Sequence, residues 1–216
     1  MAALADRLRA PRIRALPARL VVWCAWIAAT TVGWVVGSVL VLVIQMWTTG
    51  GADALVRGAA GSAILGAIVG LGIGVAQCLV LRRELASGRL WIPVTIAAWA
   101  AAWAVGQTST ELLLDDYWLL GLVPGAVLLA GFVAVSQWLV LRRSVHRASV
   151  WLPTSLVGWA AAGMVSMYGG AGLFAMGLAA FLGPVGWLFA AVPGIFAGLI
   201  TGAALVGLGT RGNTVS

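Results

Sequence analysis

Residues 77–106, QCLVLRRELASGRLWIPVTIAAWAAAWAVG, return sixty positions later as residues 137–166, QWLVLRRSVHRASVWLPTSLVGWAAAGMVS, with 13 of the 30 positions identical. Chance would give about three matches in a chain of such biased composition. Each copy begins in the last turns of one apolar run, ends that run in LVLRR, crosses a short polar stretch, and enters a second apolar run at Trp-x-Pro. The repeated unit is therefore a pair of apolar helices with a basic connection.

Weaker copies extend outward from this pair. WIAATTVG at 26–33 lies on WAAAWAVG at 99–106 with five of eight positions identical, and Trp159-Ala-Ala-Ala makes a third copy. Val123-Pro124-Gly125 recurs as Val192-Pro193-Gly194, and the same shift carries Arg142 onto Arg211 and sets Val206 opposite Gln137. Apolar runs fall at about 20–47, 59–81, 91–114, 118–141, 150–168 and 185–209. About 20 residues at ~1.5 Å per residue cross a ~30 Å hydrocarbon core, so all six can span, the fifth only just.

The expected fold is an all-α membrane protein of six transmembrane helices, built as three parallel helical-hairpin repeats about a pseudo-threefold axis. An even number of crossings per unit makes every copy enter the bilayer in the same direction. The expected organisation is a basic cytosolic segment at 1–19, a transmembrane domain at 20–209 with hairpins 20–81, 91–141 and 150–209, and a cytosolic tail at 210–216. The run from Leu20 to Trp47 is too long for the apolar part of a cleaved signal and reads as a retained first helix. The connection from about Gly169 to Gly183 is longer than the others and apolar, which suits an interfacial or re-entrant stretch.

Composition agrees with a membrane class. Of 216 residues, 62% are hydrophobic and 9% charged, and the mean hydropathy is +1.05; soluble domains run near ~25% charged. All 13 basic residues are arginine. Six crossings place twelve of them on one side with Asp6 and Glu84, a net +10, and leave Arg57 on the other side together with Asp53, Glu111, Asp115 and Asp116, a net −3. Basic residues favour the cytosolic side, so both termini are expected inside.

Several residues stand out as candidates. Gln77 and Gln137 are the prominent polar groups within the apolar runs; with helix-breaking Pro124 and Pro193 they form a candidate polar path, against the alternative of interhelical hydrogen bonding and static kinks. Arg82, Arg83, Arg142 and Arg143 close the LVLRR motifs, where arginines snorkel to headgroups or contact anionic lipid. Among twelve tryptophans, Trp23, Trp47, Trp91, Trp118, Trp138, Trp151 and Trp187 lie near run ends, as interfacial indoles do. Trp26, Trp34, Trp99, Trp103 and Trp159 lie deeper; of these Trp26, Trp99, Trp103 and Trp159 are candidates for stacking on a ligand, with helix packing as the alternative. Small residues recur every fourth position at Gly58, Ser62, Gly66, Gly70 and Gly74, at Gly194, Gly198 and Gly202, and at Gly33 and Gly37, a spacing that lets helix backbones approach closely in lipid.

Missing residue types exclude more than the motifs select. No carboxylate, lysine or histidine lies mid-membrane, although proton relays and charge-coupled transport need one. His146, the only histidine, sits in a basic loop, and Cys24 and Cys78 lack metal-ligand spacing. Glu111, Asp115 and Asp116 cluster at one turn without a calcium-loop spacing. No catalytic residue, metal site or cofactor is expected, and no nucleic-acid partner.

The repeated QxLVLRR…WxP…W pattern resembles uncharacterised bacterial multi-pass membrane proteins, over most of the chain from Gln77 onward and more weakly in the first hairpin. That resemblance implies a bacterial plasma-membrane protein of hairpin repeats and brings no substrate. Mitochondrial carriers share a three-hairpin layout, but their Px[DE]xx[KR] signature is absent here. The function expected is therefore non-enzymatic: a structural or accessory subunit of a membrane complex, or a lipid-binding element, with membrane lipids (anionic at the cytosolic face), protein partners or further copies of itself as partners. The alternative is a passive channel or facilitator for a small neutral or weakly polar solute along the repeat axis.

Overall fold

The computed structural model describes residues 2–48, 58–82, 88, 90–113, 118–145, 147–175 and 183–208. Among them are six α-helices and no strand: α1 (Ala2–Thr48), α2 (Gly58–Leu81), α3 (Trp91–Leu113), α4 (Trp118–Leu141), α5 (Trp151–Ala175) and α6 (Pro184–Gly207). A 3-10 turn, Ala148–Val150, leads into α5. Four helices carry stretches long and apolar enough to cross a membrane: Ala18–Thr48, Gly58–Leu81, Ala148–Ser166 and Ala190–Gly207. The apolar stretches described for α3 and α4, Trp91–Gly106 and Gly125–Leu141, are shorter.

Helices α2, α3 and α4 begin and end within a residue of the apolar runs. Helix α6 begins within a residue of its run, and the departures of α1 and α5 are informative. Helix α1 starts at Ala2, well before the apolar run, so the arginine-rich leader continues the first helix. Helix α5 runs on through Gly169, Gly170 and Gly172 to Ala175, where the glycine-rich sequence suggested a connection. Glycine disfavours a helix by only ~1 kcal/mol per residue. In a helix already anchored at its other end, each added residue gains a backbone hydrogen bond that lipid cannot supply. Residues 176–182 of that expected connection lie outside the described residues.

Each helix packs against its neighbours in the chain, and α6 returns to α1, so the six close into a ring. A 24-residue helix is ~36 Å long. The connections at 82–90 and 114–117 are too short to run back along that length, which makes chain neighbours antiparallel.

Glycines set the closest contacts. A Cβ on Gly33 would lie 2.6 Å from the Gly72 carbonyl oxygen, and one on Gly66 would lie 2.5 Å from that of Trp99. On α6, a Cβ at Gly194 would meet Thr31 Cα at 2.6 Å and one at Gly198 would meet Ile27 Cα at 2.8 Å. The helix pairs α1–α2, α2–α3 and α1–α6 thus touch backbone to backbone, gaining the dispersion energy that must hold helices together where lipid is as apolar as the protein. Gly58, by contrast, meets nothing within 4 Å; it has φ +77 at the start of α2, a conformation that favours glycine.

Candidate functional site

The centre of the ring is filled from α1, α3 and α5, each of which contributes a nine-residue segment. These are Trp26-IAATTVG-Trp34, Trp91-IPVTIAA-Trp99 and Trp151-LPTSLVG-Trp159. The two tryptophans are eight positions apart, and 800° at ~100° per residue sets the second ~80° round from the first, within one broad stripe of the helix, and ~12 Å along the axis. All three pairs therefore point the same way.

The structure brings them together as two triads. Trp26, Trp91 and Trp151 meet pairwise edge to face, with ring centroids 5.9–6.0 Å apart. Trp34, Trp99 and Trp159 meet at 5.2–6.4 Å. The first triad and Trp99 and Trp159 are completely inaccessible, and Trp34 nearly so. Edge-to-face and tilted arrangements set the positive ring edge against a negative ring face, adding about 0.5–1.5 kcal/mol per pair beyond contact area.

These contacts change two expectations. Trp91 and Trp151 stand near the ends of apolar runs, yet they are core residues and not interfacial ones. Trp26 keeps company with Trp91 and Trp151, while Trp34 meets Trp99, so the spatial register of α1 differs by two turns from the alignment of WIAATTVG with WAAAWAVG. The signal that gives the observed register is Trp-x3-Thr/Ser-x3-Trp, present in all three helices.

The middle residue of that motif lies between the triads. Thr30, Thr95 and Ser155 are fully buried, and Gln77, Gln137 and Thr201 reach the same layer from α2, α4 and α6. Gln77 is the best connected: its Oε1 accepts from Trp91 Nε1 at 3.0 Å, and its Nε2 donates to Thr30 Oγ1 at 3.1 Å. Gln137 Nε2 approaches Gln77 Oε1 at 3.4 Å and Thr95 Oγ1 at 3.5 Å, at the long end for hydrogen bonds. Trp26 Nε1 donates to Thr201 Oγ1 at 2.9 Å, and that hydroxyl donates to the Ala197 carbonyl at 2.6 Å. Thr201, and not Val206, therefore plays toward Trp26 the part Gln77 plays toward Trp91. The α5 copy is incomplete: Trp151 Nε1, Gln137 Oε1 and Ser155 Oγ are buried with no hydrogen-bond partner, as are Trp99 Nε1 and Trp159 Nε1 beyond.

The remaining candidates separate. Pro193 is buried inside α6. Trp103 is partly buried against the core around the second triad. Arg82, Arg142 and Arg143 are exposed, with Arg142 lying over the Trp138 ring, Cζ 5.0 Å from its centroid. Arg83, Arg57, His146, Asp53, Glu84, Asp115 and Asp116 lie outside the described residues, as do the side chains of Pro124, Glu111, Trp118 and Trp187. Chemically, the assembled layer is a set of hydroxyls, amides and indoles: it can donate and accept hydrogen bonds, and it holds no group that titrates near neutral pH. Comparison with known proteins adds no relative: no family model, no curated protein and no solved structure matches this chain.

Proposed function

We propose that this chain is a non-enzymatic protein of the bacterial plasma membrane, a structural or accessory subunit of a membrane complex that also binds lipid. In this reading three parallel helical hairpins surround a pseudo-threefold axis, and both termini are cytosolic. The observation that carries it is the double tryptophan plug. Six indoles occupy the axis at two levels, and the glutamine and threonine side chains between them are largely spent on holding the helices to one another. A bundle whose centre is given over to packing offers its outer surface for recognition. That surface is broadly apolar, with Trp47 85% exposed, and ends in arginines suited to anionic headgroups.

Extraction in a mild detergent followed by size and mass analysis tests this. The expected result is a species carrying bound lipid or a protein partner; a lone monomer with neither overturns the proposal. A second reading, passive passage of a small neutral or weakly polar solute, draws on Gln137 Oε1, Trp151 Nε1 and Ser155 Oγ, whose hydrogen-bonding capacity is unused. It ranks second because the two triads enclose the layer that holds Gln137 and Ser155.

A further inference from the structure

Not every helix pair in the ring is sealed. Between α3 and α4 a groove of about 930 Å³ opens to the outside of the bundle, its floor and walls almost wholly apolar. Its cause lies in the sequence. Gly33, Gly66, Gly194 and Gly198 press against neighbouring backbones, but a Cβ on Gly131 of α4 would meet nothing within 4 Å. Facing it, α3 presents Ala97, Ala98 and Ala101, too short to fill the space.

The dimensions of the groove and the charge at its mouth identify the occupant. Along α4 it runs from Val127 to Val140, and from Leu90, just before α3, to Ala101, or ~20 Å and ~16 Å at 1.5 Å per residue. Half of a ~30 Å hydrocarbon core is ~15 Å, so the groove is about one leaflet deep, and it reaches its end where the arginine motif begins. Arg143 lines that end. Its guanidinium is exposed and, among the described residues, pairs with no carboxylate, whereas its neighbour Arg142 is engaged with Trp138. A guanidinium fork matches the oxygens of a phosphodiester, and among the described lining residues no carboxylate would receive a choline or ethanolamine cation.

We infer that the α3–α4 groove is a binding site for one anionic phospholipid of the arginine-side leaflet, acyl chains along Gly131 and phosphate on Arg143. This rests on the reading of the chain as a lipid-binding membrane bundle and gives that reading a place and a headgroup class. It also separates the described boundary arginines by role, since Arg143 lines the groove and Arg82 and Arg142 are not among its described lining residues.

Native mass spectrometry of the full-length chain, with phosphatidylglycerol or phosphatidylcholine of equal chain length added in mild detergent, tests the site. The wild type should retain phosphatidylglycerol in preference to phosphatidylcholine. R143Q, at an exposed position that the fold does not need, should lose that preference by about tenfold, the ~1.4 kcal/mol of one charge-assisted contact. R142Q should leave it unchanged. G131L, which fills the floor, should lower retention of both lipids while the melting temperature holds. Preference that survives R143Q, retention that survives G131L in a folded protein, or a second protein chain crosslinked into the groove through a photoreactive residue at position 135 would each overturn the site. Preference lost only when the other arginines are removed would overturn the groove and leave the broader lipid-binding role standing; no bound lipid of any kind would remove both.

Discussion

The indole N–H of Trp91 on α3 donates to the side-chain oxygen of Gln77 on α2, 3.0 Å away, inside a fully enclosed layer. Because the same amide donates to Thr30 on α1, one side chain ties three helices. Q77L would strand the Trp91 N–H and lose the Thr30 contact. Interhelical hydrogen bonds in membranes average ~0.6 kcal/mol, and an orphaned buried donor costs ~1–3 kcal/mol, so a loss of about 2 kcal/mol is expected in detergent unfolding. Q137L breaks only the two long contacts of Gln137 and removes an oxygen that has no partner; its cost should stay below about 1 kcal/mol.

The indoles themselves should be unequal. Trp151 Nε1 has no acceptor and Trp91 Nε1 has one. Phenylalanine keeps most of the ring contact and drops the N–H. W151F is expected to be close to neutral and W91F to cost about 1 kcal/mol, the net worth of a hydrogen bond. Melting temperatures of the two variants side by side decide this, and equal losses would show that the hydrogen bonds contribute little.

Glycine positions supply the sharpest contrast in packing. G33A sets a methyl 2.6 Å from the Gly72 oxygen and 2.7 Å from Ile73 Cα, so backbone must move; overpacking of this kind costs ~1–3 kcal/mol. At Gly131 a methyl meets nothing within 4 Å, and alanine is the better helix former by ~1 kcal/mol. G131A should therefore match or exceed the wild type in resistance to denaturing detergent while G33A falls short.

Orientation is open to a direct check. With twelve arginines expected inside, a green fluorescent protein fused after Ser216 should fluoresce and an alkaline phosphatase fused there should be inactive. The reverse pattern would invert the topology.

The sequence carried the helices better than it carried their contacts. Runs of uniform hydropathy located α2, α3 and α4 to within a residue, because lipid exposure demands continuous apolarity over a length fixed by the bilayer. The Gln77–Gln137 pair was also legible, since the sixty-residue repeat sets two amides at matching depth. The two triads were not. Proximity to LVLRR made Trp91 and Trp151 look interfacial, and in a helix apolar on every face no polar face remains to mark which side turns inward. Identity-based alignment then favoured Trp26 with Trp99 by matching small residues, while the contacts follow the fixed spacing of Trp, Thr or Ser, and Trp. Thr201 escaped notice because Val-Pro-Gly aligned α6 with α4 in a register that put Val206 opposite Gln137. The extension of α5 to Ala175 was hidden by its glycines.

The central claim is that the axis is closed by packing. Stopped-flow light scattering of proteoliposomes containing the wild-type chain, challenged with a gradient of glycerol or urea, tests it most directly. The account predicts volume changes no faster than those of protein-free liposomes of the same composition. A protein-dependent acceleration, abolished when Thr95 between the triads is replaced by tryptophan, would contradict it.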